Sequence, residues 1–233
     1  MAVNILAVDA HAADMEMTCG GALALAVKEG GAVTLLHLTL GEKGSPTLTP
    51  AEYAVQKKRE ALLAAQRLGA AVRFLDYPDA EIPYNEAAAL KIAAVIRATR
   101  PDIVITQWGG SSERDDRNTH YLVNDAVFYA ALPAMTQVPG QAHEVRQVYY
   151  TDSWEDPLHY QPDTFVDIGS VYDTWLHAAS AYQIWRGGIE DFPFAAYYEA
   201  LTVTRGAVAG FRHAQAFKAA EHQLNLRSWR EAK

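Results

Sequence analysis

The chain has 233 residues, half of them apolar and 21% charged, with a formal net charge of -8. That length is enough to bury one large core, and an acidic balance with no Lys/Arg-rich block argues against a nucleic-acid partner. The single cysteine, Cys19, excludes an intrachain disulfide and points to a reducing, cytoplasmic setting, while no apolar run reaches the ~18 residues of a membrane span.

Val3–Val8 is a short apolar run ending in a polar turn, the pattern of a buried strand. Met15–Glu29 is rich in helix formers and stops at Gly30-Gly31, so it reads as one helix. Ala32–Leu40 is a second strand. Thr49 before Pro50 marks the N-cap and first position of a helix that runs to Leu68 and stops at Gly69. Val72–Tyr77 is a third strand, Asn85 caps a helix to Thr99, and Ile103–Gln107 is a fourth strand. Beyond it lie a polar loop over Trp108–Asn118, a helix over His120–Leu132 and strands near Val145–Thr151 and Thr164–Ile168. Two closing helices are expected over Val171–Arg186 and Phe194–His222.

Strands alternating with helices at this spacing predict an α/β fold: a Rossmann-like, mostly parallel sheet with helices on both faces, as one domain over residues 1–233. Sites in such sheets lie outside the carboxyl ends of the strands. The segments at those ends are 9–14, 41–45, 78–81 and 108–120. The first carries His11 and Asp14, which can ligate a divalent cation through nitrogen and oxygen. The last carries Glu113, Asp115, Asp116 and His120. A turn of solvated carboxylates and a helix cap explain either loop taken alone; their shared sheet edge is what suggests a cation site with an open position. No GxGxxG follows the first strand, and Gly20-Gly21 falls inside the next helix, which suggests close packing rather than phosphate contact.

Ala10-His11-Ala12-Ala13-Asp14-Met15 followed by Cys19-Gly20-Gly21 resembles the A-H-P-D-D-E…G-G opening of the LmbE/PIG-L deacetylase family. Further matches follow in order: Gly41-Glu42-Lys43-Gly44, Lys57–Gly69, Leu75–Asp79, Arg97–Thr106, Glu113–Val127 and a closing block over Arg205–Phe217. The resemblance spans roughly residues 1–220. It implies an LmbE-like fold, a divalent metal expected to be zinc, and hydrolysis of the acetyl group from an N-acetylated sugar or related amine. It also implies a homo-oligomer.

By that resemblance His11 and Asp14 are metal ligands. Asp116 stands where the family has its third ligand, a histidine; His120, one helical turn later, competes for that role. A His/Asp/Asp set is harder and more anionic than the family's and shifts preference towards oxygen-loving metals. Ala13 occupies the position of the family's general base, Glu113 that of the first histidine of His-x-Asp-His, and Tyr182 that of a late helical histidine. Glu16, Glu113 and Asp115 are the carboxylates left to take the base's part. Asp79 and Trp154 are expected to contact substrate. The competing reading is a chain that keeps fold and pocket without turnover, as a small-ligand or metal-binding module or an oligomeric scaffold.

Overall fold

The computed structural model describes residues 2–154, 159–187 and 192–220. Among these residues seven strands form one sheet in the order β3-β2-β1-β4-β5-β7-β6. The central strand β1 (Ile5–His11) runs parallel to β2 (Val33–Thr39) on one side and to β4 (Ile103–Thr106) on the other. Beyond them, β3 (Ala71–Phe74) and β5 (Gln147–Thr151) continue the parallel ladder. The far edge is antiparallel, with β7 (Ala214–Ala219) inserted between β5 and β6 (Thr164–Asp167).

Side chains alternate across the pleat, so each central strand feeds two cores. Ile5, Ala7, Val33 and Leu35 pack beneath α1 (Asp14–Thr18), α2 (Gly20–Lys28), α3 (Pro50–Leu68), α6 (Tyr172–Ala179), α7 (Gln183–Arg186) and α8 (Phe194–Ala209). Leu6, Val8, Ala10, Leu36 and Leu38 pack beneath α4 (Glu86–Thr99) and α5 (Arg114–Ala131). Leu36 and Ile92 are fully buried there; each such side chain contributes about 1.5–3 kcal/mol, and truncating Leu36 to Ala would cost about 2–5 kcal/mol.

The helix signals act as their chemistry requires. The Thr49 side chain accepts from the Glu52 amide, and the Glu52 carboxylate accepts from the Thr49 amide, a reciprocal cap preceding Pro50. Gly69 closes α3 at φ 74, where a side chain would be strained. Asn85 caps α4 through the Ala88 amide.

Four segments differ from expectation, and one of them is Val171–Arg186, read as a single helix but formed as α6 and α7 with residues 180–182 between them. The helix read over Met15–Glu29 is two helices, broken at Cys19, whose φ/ψ of -135/8 are not helical. At the break the Trp175 indole donates to the Glu16 carbonyl, and a Cβ on Gly20 would lie 2.8 Å from Trp175 Cδ1. The helix expected from His120 begins at Arg114, six residues earlier; Asp115 and Asp116 sit in its first turn, where the helix dipole favours carboxylates. The closing helix ends at Ala209, and Ala214–Ala219 is a strand. The expected helix end at His222 lies outside the described residues.

Candidate functional site

The strand order reverses direction at β1 and β4, the place where open α/β sheets form a crevice beyond their strand ends. His11 is the last residue of β1, and Gln107 follows the last residue of β4. The turn after β1 is forced: Ala13 holds φ 113, a region that L side chains rarely occupy. It delivers Asp14 back beside His11, whose amide donates to Asp14 Oδ2 at 3.0 Å.

The His11 imidazole stands between carboxylates. Its Nδ1 is 3.3 Å from Asp14 Oδ2 and 3.6 Å from Asp116 Oδ1, and its Nε2 is 3.3 Å from Asp79 Oδ1. One ligand atom each from His11, Asp14 and Asp116 lies within 4.8 Å of the others, and the same holds for His11, Asp79 and Asp115. Burial works against a charge on His11, but hydrogen bonds to Asp14 and Asp79 and the charge of Asp116 push its pKa well up. Burial also raises Asp115, whereas at Asp79 the His11 imidazole and the Lys43 amide outweigh burial and hold the carboxyl low.

Gln107, read only as the end of a strand, organises this cluster. Its Oε1 accepts from the Ala10 amide at 2.8 Å. Its Nε2 donates to Asp14 Oδ2 at 2.9 Å and to Asp116 Oδ1 at 2.6 Å. Ser111 Oγ donates to the other Asp116 oxygen at 3.0 Å. The residues fit a divalent cation: one imidazole and two carboxylates converge, the carboxylates are oriented by further donors, and the far side of the imidazole meets Asp79. A ligating histidine that gives its other N–H to a carboxylate is the usual outer arrangement of such sites.

A cavity of about 210 Å³ opens on the cluster, lined among others by His11, Ala13, Asp14, Asp79, Gln107 and Glu113. Trp154 is on its wall and stacks on Phe192 at 4.3 Å between ring centroids. Tyr53, Lys57, Phe194 and Tyr198 also face it. Glu113 is the exposed N-cap residue of α5, placing a carboxylate on the cavity wall.

Other sequence candidates stand apart. His120 Nδ1 is 2.9 Å from the Gln107 carbonyl, its ring packs against Trp108 and Tyr150, and it belongs to neither cation group. Asp115 is 1% exposed, beside His11 and Asp79, and does not line the cavity. Glu16 is fully buried behind the site. Its Oε1 accepts from the Tyr182 hydroxyl at 2.6 Å and lies 3.5 Å from His37 Nε2. His37 Nδ1 is in turn 2.7 Å from Asp9 Oδ1. Burial raises Asp9; on His37, Asp9 and Glu16 outweigh burial and raise the imidazole. Two ionisable residues inside otherwise apolar strands were the available signal for this buried network.

The family described as PIG-L, GlcNAc-PI de-N-acetylase, matches residues 6–131. The chain is similar to the 4-oxalmesaconate hydratase of Pseudomonas putida, 30% identical over 182 residues that cover 73% of this chain and 69% of that protein. It is similar to the diacetylchitobiose deacetylase of Thermococcus kodakarensis, 27% identical over 233 residues, covering 92% and 82%. Among solved structures, GalB, the 4-carboxy-2-hydroxymuconate hydratase from Pseudomonas putida, superposes with a TM-score of 0.85 over 97% of this chain and 99% of that one. At 24% identity that last likeness is one of fold.

Proposed function

This chain belongs to the PIG-L family, and we propose that it is a metal-dependent hydrolase that removes an acyl group from an N-acylated sugar or related amine. The observation that carries the reading is the convergence of His11, Asp14 and Asp116 within 4.8 Å of one another, with His11 and Asp14 lining the cavity. The deacetylase relative supports the acceptor class. A divalent cation held there, zinc in this reading, would supply a Lewis acid and lower the pKa of water.

The chain's own groups do the rest. Gln107 and Ser111 hold the two ligand carboxylates in place, and Asp79 orients the His11 ring. Glu113 is the carboxylate on the cavity wall that takes a proton from the attacking water, because Ala13 offers none. Trp154 and Asp79 contact the acceptor. A cytoplasmic setting and a homo-oligomer complete the reading.

A second reading is favoured by one specific observation. Ala13 stands where the family's base would be, and a 30%-identical relative is a hydratase. In that reading the same site adds water to a carbon–carbon double bond rather than to an amide.

The test runs both reactions on zinc-supplemented protein. Free amine released from N,N'-diacetylchitobiose, lost in Glu113→Gln, supports the first reading. Turnover of 4-oxalmesaconate with no amine release supports the second. No turnover of either, with stoichiometric zinc bound, overturns both in favour of a binding module.

A further inference from the structure

Lys57 lies on the buried face of α3, with Tyr53, Glu60 and Ala61. It is 4% exposed, yet it lines the cavity. Lysine is almost never so buried without a paired carboxylate. Here the ammonium donates to the Ala12 carbonyl and sits 5.9 and 5.2 Å from the ring centroids of Tyr53 and Tyr182. Among the described residues no carboxylate pairs with it. An ammonium has three donors, and one carbonyl accepts one of them. Burial lowers the Lys57 pKa, and Asp14, Glu60, Glu16 and Asp9 act against that through longer-range attraction.

The space that would hold a partner is identifiable. The carbonyl bound by Lys57 belongs to the peptide leading into Ala13. Ala13 also lines the cavity and ends there in a methyl group. A carboxylate at residue 13 would compensate the ammonium from within the chain. With alanine, the ammonium is offset only by the longer-range attraction of Asp14, Glu60, Glu16 and Asp9, and an anionic group of the ligand would supply the direct partner that the chain does not.

We propose that the cavity takes an acceptor bearing a carboxylate, and that Lys57 reads this carboxylate while the His11, Asp14 and Asp116 cradle serves the reacting end. The inference rests on the acyl-removing or the water-adding reading only for what happens at that reacting end. It makes Lys57 a specificity residue, and it narrows the substrate to small carboxylic acids, either N-acylated or unsaturated.

The experiment titrates the full chain with succinate and with its neutral diamide, by calorimetry, once with zinc and once after chelation. Succinate is expected to bind in both states and the diamide at least about tenfold more weakly. Lys57→Met is expected to weaken succinate roughly 10- to 100-fold while zinc stoichiometry is unchanged, and Lys57→Arg to retain most of the affinity. Ala13→Asp, which supplies an internal carboxylate, is expected to weaken succinate to a similar degree. Should Lys57→Met misfold, Ala13→Asp and the diamide comparison still decide. Equal binding of succinate and diamide, no binding of succinate, or full affinity in both Lys57→Met and Ala13→Asp overturns the proposal. Loss of zinc binding with Lys57-dependent succinate binding intact would instead overturn the metal reading and leave this inference standing.

Discussion

Replacing Gln107 by leucine tests the physical core of the site. The residue is 3% exposed. Its amide makes three hydrogen bonds, at 2.8 Å from the Ala10 N–H, 2.9 Å to Asp14 and 2.6 Å to Asp116. The two that it donates go to carboxylates, and such bonds contribute about 1.5–3 kcal/mol each. The Ala10 amide would be left without its acceptor in a buried strand, a cost of about 1–3 kcal/mol. Shape-filling by leucine offsets part of this, so a loss of about 3–6 kcal/mol is expected. In a chain of this size ~1 kcal/mol moves Tm by roughly 2–4 °C, which puts the expected drop at about 6–24 °C. Outer residues of this kind also tune metal affinity, typically by 10–100-fold. Calorimetric melting with and without zinc, together with competition against a chromophoric chelator, reads both effects. A variant that melts within about 2 °C of the parent and binds zinc equally well would refute the claim that Gln107 holds the two carboxylates for a cation.

Four further outcomes are expected. Glu113→Gln should lower amine release from an N-acetylated amine by ~10²–10⁴; an unchanged rate would show that Glu113 is not the group that takes the water's proton. Ala13→Gly relaxes a φ of 113 and should stabilise the fold by about 1 kcal/mol, checked by urea midpoint. Gly31→Ala would bring a Cβ to 2.1 Å from the Val3 carbonyl oxygen, whereas among the described residues a Cβ at Gly30 would meet nothing within 4 Å and has only its φ of +88 to strain. The first change should therefore cost about 3 kcal/mol and the second about 1 kcal/mol; equal denaturation midpoints would contradict the packing. Zinc at ~100 Kd should stabilise the chelated protein by about 2.7 kcal/mol, and His11→Ala should abolish that thermal shift.

Much of the architecture was legible in periodicity and punctuation. Apolar runs bounded by turns marked β1 to β5, and Thr49-Pro50, Gly69 and Asn85 marked helix ends, because caps and strand patterns depend on neighbours a few residues away. The closing strand was not legible. Ala214–Ala219 is rich in alanine, the best helix former, yet it is held extended by ladders to β5 and β6 from far along the chain. The start of α5 was hidden for a related reason: a run of charge reads as a solvated loop, but the helix dipole and the facing His11 give Asp115 and Asp116 buried partners.

By itself the order of residues determined which side chains could do chemistry and at which edge of the sheet they would gather, since strand direction and the β1/β4 reversal follow from local pattern and topology. Only the tertiary structure decided which of them share one space. Residues 93 positions apart, Asp14 and Gln107, meet through one hydrogen bond, while Glu16, two residues from Asp14, is turned away to Tyr182. That choice is set by the strained turn at Ala13 and by the packing of Trp175 on α1, long-range constraints that no local spacing encodes.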